Sequence, residues 1–193
     1  MKKMVLSLPA LGLVVLSLAG VAPSFPSQIG QEKMEQAETE RRITLDVACD
    51  GRTFRMNGGI PVPFGAVRGD TFIVNGKIYP ADTLPTGTAS NSPDDPGGIG
   101  TWICRGTFAS SWAEIITGAE PHGYNTQFHL FDDGRGVVSD GPEGGVGIVR
   151  AVVGGMGLLA GASGEMSEVE LGRNSTGAAN LRFTITLKKQ APK

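Results

Sequence analysis

From residue 43 onward the chain alternates apolar and polar residues with a period of two. Successive side chains of an extended chain point to opposite sides. Ile43, Leu45, Val47 and Cys49 therefore share one face of a first strand, with Thr44, Asp46 and Ala48 on the other, which predicts one buried face and one mostly wet face. Similar runs cover residues 71–75, 101–108, 124–131, 148–153, 163–171 and 179–187. The clearest is the last, where Leu181, Phe183, Ile185 and Leu187 oppose Arg182, Thr184 and Thr186. Asn75-Gly76 and Asp133-Gly134 are dipeptides that tolerate positive φ and so predict tight antiparallel hairpins. No later segment holds a 3.6-residue period for three turns, so helices to cover a parallel sheet are not expected. The pattern predicts an all-β protein, either a closed barrel or a sandwich.

The first 42 residues read differently. Lys2 and Lys3 precede an apolar run over residues 4–19 that ends in small residues, as a secretory signal peptide requires. Ser17-Leu18-Ala19 places cleavage after Ala19. The run contains Pro9 and is shorter than the about 20 apolar residues of a membrane span, so no stable membrane anchor is expected after cleavage. Residues 31–42 are polar, charged and free of glycine and proline, which predicts a solvated tether or a short helix. The expected organisation is a signal peptide over 1–19, a polar tether over 20–42 and one barrel domain over 43–193. The expected location is secreted or periplasmic.

Charge narrows the partners. Loss of Lys2 and Lys3 from the 17 basic residues leaves 15 against 19 acidic ones, and no basic stripe invites nucleic acid. Cys49 and Cys104 are the two cysteines. In an exported chain such a pair predicts a Cys49–Cys104 disulfide, and without a CxxC spacing or further ligands there is no metal or redox reading.

Few residues suggest chemistry. Gly155-Met156-Gly157-Leu158-Leu159-Ala160 fits the GxGxxA dinucleotide fingerprint, but Gly161-Ala162-Ser163-Gly164 interrupts the helix that phosphate binding needs. No cofactor is expected. His122 and His129, near Glu114 and Glu120, lack metal-ligand spacing. His129 shares a face with Gln127 opposite Phe128 and Leu130, which predicts a solvent-side or hydrogen-bonded histidine. A GxSxG nucleophile elbow is absent. Arg105, Tyr124, Arg150 and Glu165 are polar groups in or beside apolar strands. Facing inward they would orient a ligand, polarise an oxygen or move a proton in a cavity; facing outward they would form ordinary surface pairs. Asn174-Ser175-Thr176 is a glycosylation sequon in a eukaryotic secretory route. The glycine- and proline-rich connection over residues 84–98 reads as a surface loop or a lid over a barrel mouth.

Residues 149–165, VRAVVGGMGLLAGASGE, resemble the strand, glycine turn and strand signature of the allene oxide cyclase and dirigent barrel superfamily. Residues 179–187 resemble its closing strand. Met156 stands where the family usually has threonine or serine. The resemblance covers about the last quarter of the chain and implies an eight-stranded antiparallel barrel with an apolar cavity, often assembled as a homotrimer. It implies ring-closing cyclases and isomerases or stereochemical guide proteins as relatives. The family's catalytic residues lie on upstream strands that cannot be matched residue by residue, so none is carried over. Three functions stay open: a barrel that binds a small apolar molecule, a cyclase or guide acting on one, and a structural domain whose core is plugged by Trp102, Phe108, Phe128 and Phe183.

Overall fold

The computed structural model describes residues 40–57, 65–144 and 147–188. The expected signal peptide and most of the tether lie outside these residues.

The described chain is all-β, with a closed eight-stranded antiparallel barrel and one strand outside it. Its strands are β1 (Glu40–Met56), β2 (Thr71–Pro80), β3 (Gly87–Thr88), β4 (Gly100–Phe108), β5 (Gly123–Phe131), β6 (Gly136–Glu143), β7 (Val149–Met156), β8 (Gly164–Arg173) and β9 (Ala179–Lys188). A one-turn helix α1 (Trp112–Ile115) joins β4 to β5, and a 3-10 turn over Gly157–Leu159 joins β7 to β8. Neighbours around the barrel are β1, β2, β4, β5, β6, β7, β8 and β9, with β9 returning to β1. The short β3 pairs in parallel with the end of β8 on the outside. The barrel and its antiparallel order are those that the glycine signature implies.

The strongest alternation is borne out. Leu181, Phe183, Ile185 and Leu187 are all buried inside, with Arg182, Thr184 and Thr186 on the outer face. They meet Leu45 and Val47 of β1, Ile78 of β2, Val137 of β6, Val152 of β7 and Met166 of β8, and this apolar set fills one end of the barrel. Leu159 and Ala162, from the turn after β7, join the same cluster. The glycine signature has a steric cause here. A Cβ on Gly155 would lie 2.1 Å from the Leu159 carbonyl oxygen, and Gly157 has φ of +59° beside the Gly134 carbonyl. The GxGxxA match is therefore a strand end and a 3-10 turn between antiparallel neighbours, not a phosphate-binding strand–helix turn.

Several expectations need correction. Strand β1 begins at Glu40, so Glu40, Arg41 and Arg42 of the expected tether pair with Lys188, Leu187 and Thr186 of β9. Asn75-Gly76 is no turn: it lies inside β2, where a Cβ on Gly76 would sit 2.8 Å from the Ala48 carbonyl oxygen and 3.1 Å from the Trp102 ring. Glycine serves close approach there, whereas Asp133-Gly134 does form the β5–β6 hairpin, with Gly134 at φ of +82°. The outer face of β1 is not wet at Asp46 and Ala48, because residues 81–99 fold over it.

That connection is fastened to the outer wall. Asp46 accepts hydrogen bonds from the backbone N–H groups of Thr83 (3.0 Å) and Leu84 (3.1 Å) and from the Arg182 guanidinium at 2.8 and 3.1 Å. The Tyr79 hydroxyl donates to the Asp95 carbonyl at 2.9 Å, and the amides of Asn91 and Asn180 bond each other at 3.1 and 2.9 Å. Ala48, Tyr79 and Leu84 form a small second core beneath it. Of the two readings of residues 84–98, surface loop or lid, the segment takes the first, as a clasp on the wall that contributes no residue to the barrel mouth.

The expected Cys49–Cys104 disulfide is absent: both are buried free thiols. Both do face inward, but Cys49 is opposite Gly76 and Cys104 opposite Val74, so β2 runs between them. Two strand spacings separate their backbones by roughly 9–10 Å, beyond the roughly 7 Å that a disulfide spans. Asn174 of the sequon is buried, and its amide donates to the Cys49 carbonyl at 2.8 Å, so it is not presented for glycosylation.

Candidate functional site

The end of the barrel opposite the apolar plug is open. Here β1 is irregular between Asp50 and Arg55, and α1 borders the opening. Helix α1 is capped by Ser111, whose hydroxyl accepts from the Glu114 N–H while the Glu114 carboxylate accepts from the Ser111 N–H at 2.7 Å. The Trp112 N–H donates to the Ala66 carbonyl at 2.7 Å, which sets the indole at the rim, where it is 54% exposed. Inside the rim lies a cavity of about 430 Å³. A second hollow of about 520 Å³ shares Phe54, Val74, Phe108, Trp112, Arg173 and Ala178 with it. Phe54 stacks on Phe72 at 5.9 Å and Phe72 meets Phe108 in a tilted pair at 4.8 Å, so one wall of the mouth is aromatic.

The other wall is polar. Strand β5 turns Asn125, Gln127 and His129 inward, β6 adds Ser139 and Glu143, β7 adds Arg150, and β8 adds Glu168 and, nearer the rim, Glu170. The Trp102 indole N–H donates to the Gln127 side-chain oxygen at 3.3 Å, and the Gln127 amide donates to Glu168 Oε2 at 3.2 Å. Glu143 Oε2 accepts from the Asn125 amide and, at 3.9 Å, from the Cys104 thiol. Arg150 donates to the Asn125 side-chain oxygen and, at 2.8 Å, to the Pro142 carbonyl. The guanidinium thus spends its hydrogen bonds on neutral oxygens, and neither glutamate forms an ion pair with it.

This environment sets the protonation states. Burial, reinforced by the Glu168 charge, pushes the Glu143 carboxyl up to about 7, with Arg150 opposing. Burial also raises Glu168. Both thiols are pushed well up by burial, so Cys49 and Cys104 stay protonated and are poor nucleophiles at neutral pH. His129 is driven down to about 3, first by burial and then by the Arg150 charge. It is a neutral ring below the cavity floor, packed edge-on against Phe183 at 4.8 Å, with neither nitrogen hydrogen-bonded.

Of the four polar residues singled out in the sequence, Arg150 alone points into the barrel. Arg105 and Tyr124 point outward and meet in a shallow groove on the wall, with the Arg105 guanidinium 5.1 Å from the Phe128 ring. Glu165 is on the outer face of β8, beside Ala151 and Thr186. The expected faces of β5 are reversed, since Gln127 and His129 are inside and Phe128 and Leu130 outside. Trp102, Phe108 and Phe183 do face inward, but they fill only part of the interior. Sequence reasoning missed Glu143 and Glu168. The Asp133-Gly134 turn implied a second strand, which is β6 and ends at Glu143. Extending the alternation from Met166 would have put Glu168 on the inner face of β8.

Among the described residues, no group of three or more His, Cys, Asp or Glu side chains could hold a metal ion, and no helix is long and apolar enough to cross a membrane. What the mouth can do is enclose an apolar body, hold it against aromatic rings and offer a hydrogen bond or proton at neutral pH.

No family model matches the chain, and no curated protein matches it. Solved structures do. The pterocarpan synthase dirigent protein PsPTS1 aligns over 80% of this chain and 98% of its own, with a TM-score of 0.57 and 12% identity. A second such protein, GePTS1, aligns over 79% of this chain and 90% of its own, with a TM-score of 0.52 and 11% identity. A pyocyanin demethylase aligns over 77% of this chain and 100% of its own, with a TM-score of 0.48 and 17% identity. At these identities the likeness concerns the fold: the barrel is dirigent-like.

Proposed function

We propose that the protein is an exported barrel that binds a small, largely apolar ligand in its open mouth. One observation carries this: the closed barrel is filled by side chains at one end only, and the other end keeps an aromatic-walled cavity into which buried polar groups converge. Binding sites commonly combine a mostly apolar lining with a few placed polar groups. Burial against Trp102, Phe72 and Phe108 supplies most of the affinity, at about 25 cal/mol per Å² of apolar surface. Arg150, Glu143 and Glu168 orient the ligand. The test is titration with fatty-acid-derived and phenolic compounds, followed through Trp102 and Trp112 fluorescence. Saturable binding is expected, and Ala178→Trp, which adds bulk at the rim, is expected to abolish it without lowering the thermal midpoint. Lack of binding by any compound would return the barrel to a structural or interaction role.

A second reading, a cyclase, isomerase or stereochemical guide of the allene oxide cyclase or dirigent type, is favoured by Glu143. An acid or base with a pKa near the working pH gives the most efficient proton transfer, and Glu143 sits at about 7. It would protonate a ligand oxygen as a bond forms elsewhere in the ligand and recover the proton afterwards, without a cofactor. Turnover of a bound compound that disappears in Glu143→Gln supports this reading. The homotrimer implied by the family resemblance is also a proposal, and Val149, Val153 and Val169 leave an apolar stripe on the outer face of β7 and β8 that suits a neighbour. Sedimentation of the purified protein tests it.

A further inference from the structure

The charges in the mouth do not balance. At the rim Glu170 lies 3.9 Å from Arg173, so these two offset each other. Deeper, Arg150 faces both Glu143 and Glu168, and its hydrogen bonds go to the Asn125 side-chain oxygen and the Pro142 carbonyl. Each glutamate receives hydrogen bonds on Oε2 only: Glu143 from Asn125 and Cys104, Glu168 from Gln127. The Oε1 atom of each has no donor among the described residues, and both side chains are half-buried and border the cavity. Two carboxylates therefore share one guanidinium that touches neither, and each keeps one oxygen free for whatever enters. Across from them stand Trp102, Phe72 and Phe108, whose ring faces attract cations.

We propose that the mouth selects an organic cation, an aromatic or alkyl-aromatic body bearing one positive charge, with the charge between Glu143 and Glu168 and the body against the aromatic wall. This rests on the ligand-binding reading above and narrows it. A neutral ligand offers the two glutamates no counter-charge, and an anion adds negative charge beside them. A cation supplies the counter-charge the protein itself omits and draws both carboxyls, which burial pushes up, toward their charged forms.

The test uses three probes with one aromatic body: (1-naphthylmethyl)trimethylammonium, 1-naphthalenemethanol and 1-naphthoate, each titrated calorimetrically into the intact protein at neutral pH. A permanent charge keeps the titration of the probe out of the result. The cation is expected to bind about tenfold more tightly than the alcohol, the scale of a desolvated cation–π contact with a carboxylate nearby, and the naphthoate more weakly than either. Glu143→Gln and Glu168→Gln keep the side-chain shape but cannot carry the charge, and each is expected to cut the cation-to-alcohol affinity ratio several-fold. Having both guards against one variant failing to fold. If alcohol and cation bind equally, if naphthoate binds best, or if neither substitution alters the cation-to-alcohol ratio, the cation proposal is overturned while the binding function stands. If none of the three binds, the binding function falls and the cation proposal with it.

Discussion

Asp46 on the outer wall and Glu143 inside the mouth are both acidic side chains taken largely out of water, and they are treated in opposite ways. Asp46 is 0% exposed and accepts from two backbone N–H groups and from a two-point Arg182 contact. Its charge is matched and both oxygens are occupied, and the whole arrangement holds the 81–99 connection against β1. Glu143 has an amide and a weak thiol donor on one oxygen, none on the other, and an arginine nearby that bonds elsewhere. A matched buried charge is a fastening. An unmatched one costs stability and marks a place where a partner from outside is expected.

The contrast is tested first at Asp46. Asp46→Ala leaves two N–H groups and a partly buried guanidinium unsatisfied, so it is expected to cost about 4 kcal/mol, measured by urea unfolding at neutral pH. Glu143→Gln is expected to be neutral or stabilising under the same conditions. A loss below about 1 kcal/mol at Asp46, or one at Glu143 as large as that at Asp46, would break the comparison.

The pH dependence of stability sharpens it. The Glu143 carboxyl is raised from its ordinary 4.5 to about 7, so the folded state holds a proton that the unfolded state has released. Its contribution is present below about 4.5 and is lost as pH rises toward 7, by up to about 3 kcal/mol. His129 runs the other way. It is depressed from 6.5 to about 3, so the folded state resists a proton that the unfolded state accepts, and stability is lost as pH falls through that window. Glu143→Gln should remove the decline between pH 4.5 and 7, and His129→Leu should remove the decline on acidification. Urea midpoints across pH 3.5–8 check both, and an unchanged slope in either variant would contradict the protonation state assigned to that residue.

How much of this could be read from the sequence follows from what alternation encodes. It reports that a strand has two faces, and in β9 the all-apolar face could only go inside. In β5 both faces look plausible. Phe128 and Leu130 seemed the core side, yet the mouth half of the barrel is polar within, and Phe128 lies outside under Arg105. Choosing Glu165 over Glu168 was the same error by one register, since a shift of one residue exchanges the faces. Strand β6 was hidden because Gly136, Gly141 and Pro142 dilute its β-propensity, and Glu143 was hidden with it. The clasp could not be foreseen, because Asp46 and Arg182 are 136 residues apart and meet only through the β1–β9 closure.

The smallest expected effect concerns Cys104, whose thiol is the weakest donor to Glu143 at 3.9 Å. A hydroxyl is a better donor than a thiol, so Cys104→Ser offers Glu143 Oε2 a stronger hydrogen bond and moves this carboxylate one step toward the completeness of Asp46. Hydrogen bonding to the charged form favours that form, and the Glu143 midpoint should move down from about 7 toward the ordinary carboxylate range. Stability near neutral pH should change by less than about 1 kcal/mol, because the gain at Glu143 is offset by burying a more polar side chain. Infrared or NMR titration of the Glu143 carboxyl measures the shift directly. Because Cys49 and Cys104 are not joined, the wild type should also show two free thiols when denatured without reductant, and reductant should leave its midpoint unchanged. An unmoved carboxyl midpoint in Cys104→Ser would mean that Cys104 does not hydrogen-bond Glu143. A single-step loss of both thiols to oxidation would mean that β2 does not keep them apart.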